Sequence, residues 1–168
     1  LAFDSAGRKN EVLQVTKHGL LDGNKTNIVK GKRGKLFPLV YLDDTKELIR
    51  QYLEWRGEDN VDSLWITGRG ETARPVTISA MYDRILKCNS ILQDIRGEET
   101  NIFFHTCRHS RIECLLQGTD DRIKDENGNN KKFPLEQIMV LAHHSDVSTT
   151  QSYCKNHDED TINEMFGF

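Results

Sequence analysis

Two residue pairs in this chain are spaced to work on an anion. His105 and Arg108 stand three apart in "HTCRHS", so on a helix they project from one face and can address a single ligand. Arginine offers a planar fork of donors that suits two phosphate oxygens at once, and a nearby helix start adds oriented N–H groups. An isolated HxxR fits a surface arginine beside a satisfied histidine equally well. Arg8 follows a glycine in "SAGRKNEV", and Glu11, one turn later, is placed to orient its guanidinium. On a solvated helix the same pair is an ordinary ion pair worth about 0.3–0.5 kcal/mol. Near the other end, "HHSDVSTTQSY" sets His143 and His144 ahead of Tyr153. A phenol ionises near pH 10 in water, about three units above neutrality, so Tyr153 needs neighbours that take its proton or stabilise the charge it creates. Without them it is a structural tyrosine.

The elements that would position these groups are readable from periodicity and turn residues. Residues 1–15 read as a helix bent near Gly7, and "VTKHGLLDG" with "TNIVKGKRGKLFPLVYL" as short strands, turned at Gly23-Asn24 and between Gly31 and Gly34, making a three-stranded antiparallel sheet. "TKELIRQYLEW" is helical, with Leu48, Ile49, Tyr52, Leu53 and Trp55 as its apolar positions and Gly57 beyond its end. Thr77 should cap a helix from Ser79 to about Leu92. "HTCRHSRIECLLQG" is a helix stopped by Gly118, and the polar stretch 119–132, with its Asn127-Gly128 turn, is a surface insertion. "PLEQIMVLAHH" is a helix with Pro134 in its first turn. Ser148 and Gln151 match a capping box, putting Tyr153 inside another short helix. Five or six helices around a small sheet make the expected class mainly α with a small antiparallel β-sheet, α+β.

A chain of 168 residues suits one domain with a real core, and no apolar run approaches the length of a membrane span. The start lacks the pattern of a secretory signal. Cys88, Cys107, Cys114 and Cys154 show no paired spacing and read as reduced thiols in a cytosol. Beginning at Leu1 within a helix-like stretch, the chain is expected to be a piece of a longer protein. Net charge of −3 argues mildly against nucleic acid, yet its distribution argues the other way. Residues 24–42 hold no acid, while Lys25, Lys30, Lys32, Arg33 and Lys35 crowd together, giving one basic face on an acidic body. By themselves, lysines at a hairpin turn are most often merely solubilising.

In identity and order these residues resemble the tyrosine recombinase family, the phage-type integrases. "AGRKNEVLQV" is similar to that family's first arginine motif, "IVKGKRGKLFPL" to its strand-turn-strand lysine motif, "HTCRHS" to its His-x-x-Arg-His motif, and "AHHSDVSTTQSY" to its histidine-to-tyrosine stretch. The resemblance implies a catalytic domain over residues 1–168, the family's separate N-terminal core-DNA-binding domain being absent. It implies Arg8, Lys30, His105, Arg108, His144 and Tyr153 as catalytic residues. Arg8, Arg108 and His144 would hold one phosphate, Tyr153 would attack it, Lys30 would protonate the leaving 5′-oxygen, and His105 would assist the tyrosine's proton transfer. Glu11 and His143 would support the site, and Lys25, Lys32, Arg33 and Lys35 would touch the DNA backbone. No metal and no cofactor are expected, the partner is double-stranded DNA at specific recombination sites, and self-association as a tetramer on DNA in a bacterial cytoplasm follows.

Departures from the family pattern are specific. His143 takes the place of the usual glycine and Ala142 that of the usual leucine, so the motif histidine could be read as His143 or His144. Cys107 stands where leucine is common, 119–132 is longer than the usual connection, and a slip of the hairpin would exchange Lys30 for Lys32. His109 is assigned to helix packing, His18 and His157 to the surface. The apolar end of the tail, Met165, Phe166 and Phe168, fits docking on a neighbouring subunit or packing on its own domain. Two rivals remain: a DNA-binding module that kept the fold without the chemistry, and a zinc site drawn from His105, Cys107, His109, His143, His144 and Cys154. Alternating His-x-Cys-x-His on one helix diverges, which counts against the zinc site.

Overall fold

A computed structural model describes residues 1–20 and 23–143 and divides the chain into two compact units, Leu1–Cys107 and Arg108–Phe168. His144, Tyr153, Cys154, the Ser148 capping box, His157 and the apolar tail lie outside the described residues.

In the first unit, the helix expected over residues 1–15 shrinks to α1, Lys9–Val12. Tertiary contacts override the periodicity: Asp4 is buried and its carboxylate accepts from the Leu42 N–H at 2.9 Å, while Ala6 turns the chain at φ 50°. β1 (Lys25–Lys30) and β2 (Leu36–Val40) form an antiparallel hairpin with Val29 opposite Phe37 and Lys30 opposite Leu36. The expected third strand does not join this ladder. Instead the backbone of 15–17 bonds to 62–64, through Leu64 N–H to Val15 O at 2.8 Å and Lys17 N–H to Asp62 O at 2.8 Å, with one bridge between Thr16 and Ser63. Two side-chain amides, Gln14 and Asn27, fill the seam that a third strand's backbone would have closed. A second, unanticipated ladder pairs β3 (Ile66–Thr67) with β4 (Arg74–Pro75).

α2 spans Asp43–Arg56, opens on two carboxylates that suit a helix N-terminus, and ends at Gly57 with φ 72°. Its Ile49 enters the core formed by Val12, Val15, Val29, Phe37, Leu39 and Leu64, with Tyr52 and Leu53 packed against it. Each such burial contributes about 1.5–3 kcal/mol. Leu48 and Trp55 depart from the expected apolar stripe, being 63% and 61% exposed, and the Arg69 guanidinium lies 3.6 Å over the Trp55 ring. α3 runs Ile78–Arg96, about a turn beyond the expected stop, because nothing interrupts it before the left-handed Gly97. Thr77 caps it as expected, its hydroxyl accepting from the Ala80 N–H at 3.1 Å.

α4, Phe104–Gln117, carries the HxxR motif across the boundary between the units and ends at Gly118, φ 68°. In the second unit its Ile112 and Leu115 pack with Ile138 and Ala142, contributed by α5 (Leu135–Leu141) and its C-cap. Pro134 sits one position earlier than expected, as the N-cap rather than in the first turn. The 119–132 segment holds the expected turn, Gly128 at φ 82°, but is not wholly a surface insertion. Asp120 is buried between Arg111 and Arg122, and Ile123 packs on the core. His109 is exposed, which corrects its assignment to helix packing; His18 is exposed as expected. Among the described residues no helix is long and apolar enough to cross a membrane.

Candidate active site

Arg8 stands at the N-cap of α1, where the chain enters the helix from extended backbone. The first-turn N–H groups of a helix need outside acceptors, and an acidic residue three positions on can reach back to one of them. Glu11 does so, accepting from the Arg8 N–H at 2.8 Å with one oxygen and from the Arg8 guanidinium at 3.1 Å with the other. Glu11 is only 2% exposed, while the Arg8 side chain keeps about a third of its surface in solvent, 34%. The pair is therefore more than a solvated ion pair: a buried carboxylate fixes the base of an arginine whose head remains accessible.

The lysine hairpin lies beside that pair. A Cβ on Gly31 would stand 3.2 Å from the Glu11 carboxylate and 2.6 Å from the Phe37 ring, so a side chain there would force the two segments apart. Lys30 ends β1 and is exposed, and Lys32, Arg33 and Gly34 make one tight 3-10 turn before β2. Lys25, Lys32, Arg33 and Lys35 are all exposed. Gln14 grips the outer edge of β1 at Lys30: the Lys30 N–H donates to its amide oxygen at 2.8 Å, and its amide nitrogen donates to the Lys30 carbonyl at 3.0 Å. The same nitrogen donates to the Asn10 carbonyl at 2.7 Å, so the grip is braced from α1. Asn27, on β1 itself, reaches the other way, accepting from the Thr16 N–H at 2.9 Å and donating to the Gln14 carbonyl at 3.2 Å. Sequence reasoning passed over Gln14. The available signal was a long amide between two buried valines, Val12 and Val15, facing a strand with an open edge.

On α4, His105 is exposed. Burial pushes the Cys107 thiol up, away from thiolate chemistry. In the second unit Arg108 is buried, 5% exposed, and donates through its guanidinium to the Ala142 carbonyl at the end of α5. That bond anchors the backbone immediately before the histidine pair. His143 follows at φ 51°, the left-handed conformation that glycine accepts most readily. The structure thus joins Arg8, Glu11 and the Lys30 hairpin in one unit, and Arg108 with the approach to His143 in the other; His144 and Tyr153 lie outside the described residues. Among the described residues no three His, Cys, Asp or Glu side chains are grouped to hold a metal ion, and the zinc alternative also needs His144 and Cys154, which are not among them.

No protein-family model and no curated protein sequence matches the chain. Solved structures do. XerA recombinase is similar over 99% of this chain and 53% of its own, with a TM-score of 0.69 at 17% identity. XerH site-specific recombinase, bound to a palindromic difH substrate in a post-cleavage complex, is similar over 99% of this chain and 43% of its own, with a TM-score of 0.65 at 17% identity. The Tn1549 transposon integrase, in complex with a circular intermediate DNA, is similar over 90% of this chain and 51% of its own, with a TM-score of 0.64 at 10% identity. The chain spans about half the length of these proteins. Mainly helical, with a small antiparallel sheet, it has the catalytic-domain fold of the tyrosine recombinases.

Proposed function

We propose that the protein is a site-specific DNA recombinase or integrase that cuts and rejoins strands through a tyrosine. The observation that carries this reading is that Arg8, Lys30, His105, Arg108, His144 and Tyr153 occur in the family's order on a chain with the recombinase fold. The Tyr153 oxygen attacks a phosphodiester phosphorus; the new phosphotyrosyl bond forms at the 3′ side as the bond to the 5′-oxygen breaks. The tyrosine's proton leaves with the help of His105, and the Lys30 ammonium delivers a proton to the departing 5′-oxygen. Proton transfers of this kind contribute about 100- to 10,000-fold each. Arg8, Arg108 and His144 hold the non-bridging oxygens, and a preorganised donor of this type contributes about 3–4 kcal/mol to the transition state.

Because the phosphotyrosyl ester conserves the bond, rejoining reverses the same step: the 5′-hydroxyl of a second strand attacks and Tyr153 leaves. Lys25, Lys32, Arg33 and Lys35 contact backbone phosphates, which set register without reading sequence. Duplex DNA at specific sites is the partner, as XerH is described with its difH substrate, and four copies assemble on it. The test is a duplex nicked beside the cleavage site, which loses its short leaving fragment and traps the covalent complex. The protein should form a denaturant-resistant adduct and Tyr153→Phe should form none; an equal adduct from Tyr153→Phe would assign the nucleophile elsewhere.

A further inference from the structure

We infer that Gln14 is a positioning residue for Lys30, fixing the reach of the lysine by clamping the backbone from which it springs. This rests on the reading of Lys30 as the proton donor. A lysine side chain has four rotatable bonds, so where its ammonium can go depends first on where its Cα is held. Lys30 is the last residue of β1 and leads into a tight turn, where only one side of the strand has a ladder partner. The inner side is fixed by the ladder to β2, in which Lys30 lies opposite Leu36, and just beyond it by the Gly31 N–H donating to the Lys35 carbonyl at 2.8 Å. The outer edge is fixed at Lys30 by both hydrogen-bonding groups of the Gln14 amide, at 2.8 and 3.0 Å.

A side-chain amide satisfying both the N–H and the C=O of one strand residue reproduces the pairing that a neighbouring strand would give. In the observed register the residue so held is Lys30. The bracing bond to the Asn10 carbonyl sets Gln14 itself against α1, two residues beyond Arg8. The clamp therefore gauges the lysine's strand against the arginine's helix.

The test uses DNA whose scissile 5′-oxygen is replaced by sulfur. A thiol ionises near pH 8.5, several units below an alkanol, so the sulfur departs as a thiolate without a proton donor. In the cleavage step the tyrosine O–P bond forms, the P–S bond breaks and the thiolate takes its proton from water. Gln14→Met keeps length and volume but removes both hydrogen bonds. Expected is a fall of about 10- to 100-fold in the single-turnover cleavage of ordinary DNA, the size of a small misplacement of a catalytic group. On the sulfur substrate Gln14→Met should match the parent, as Lys30→Ala should. Gln14→Glu, which keeps the acceptor for the Lys30 N–H, should lie between. Backbone hydrogen exchange should show the Lys30 amide losing protection in Gln14→Met.

Equal losses on both substrates would overturn the inference in favour of a merely structural role, and so would unchanged cleavage of ordinary DNA by Gln14→Met. If Lys30→Ala is not rescued by sulfur, Lys30 is not the proton donor, and the inference falls with that reading; an exchange result unaffected by this would still report the clamp itself, so the two failures are separable.

Discussion

Arg8 and Arg108 bear the same guanidinium and are held in different ways. Arg8 is held from behind by a buried carboxylate and keeps an accessible head; Arg108 is buried and spends one N–H on the carbonyl that ends α5. The residue after that carbonyl, His143, sits in the left-handed region, where a non-glycine side chain costs about 1 kcal/mol. His143→Gly should recover about 1 kcal/mol and raise the melting temperature by about 2–4 °C. Calorimetry decides it: a lower melting temperature would mean that the contacts of the half-buried imidazole outweigh the backbone strain. Arg8 and Arg108 were singled out in the sequence by the motifs they resemble, because their spacing alone fits ordinary surface residues equally well. The burial of Glu11 was not legible there, since the Arg-Glu spacing is the same on a solvated helix and over a core.

At the scale of elements, α2 to α5 were readable because caps and stops lie in the chain itself: Thr77, Gly57 and Gly118 act within a turn of where they stand, whereas the stop at Gly97 was passed over and α3 was ended about a turn early. The third strand was misread because its backbone partner, 62–64, lies nearly fifty residues away, and the side chains that take its place against β1 have no periodic signature. That partner segment is itself held by Arg56, which donates to both Asp59 oxygens and to the carbonyls of Val61, Ser63 and Leu64. The Arg56 guanidinium beside Asp59 holds its carboxyl well below the usual carboxylate range, with the Val61 N–H and Lys17 acting in the same direction. A depressed folded-state value means that the stabilisation is present above the ordinary value, about 4, and is lost only as pH falls through the folded one. Arg56→Lys, which cannot make the two-oxygen contact, should let that value rise. Acid unfolding followed by circular dichroism should then move its midpoint to higher pH; an unmoved midpoint would remove this pair from the acid response.

For the whole molecule, a net charge of −3 is a poor guide to its field, because the basic residues of 24–42 are exposed on one hairpin and the acids lie elsewhere along the chain. Phosphate contacts release counterions, so affinity for duplex DNA should fall steeply with salt despite the negative total. Replacing Lys32 and Arg33 together with glutamine should weaken binding to all sequences alike and reduce the log-log salt slope by about 2, one for each contact removed. Fluorescence anisotropy at several salt concentrations measures both, and an unchanged slope would place the phosphate contacts elsewhere.

The amide seam along β1 also governs what the molecule can refuse. A bare strand rim is a template for foreign chains, the starting point of runaway β-stacking. Here the rim's hydrogen-bonding groups at Lys30 are already engaged by Gln14, and Asn27 ties the neighbouring stretch to Thr16. An intruding strand would have to evict glutamine before it could bond at Lys30, so the cationic end of the hairpin stays available to a polyanion while that stretch of edge is closed to another strand.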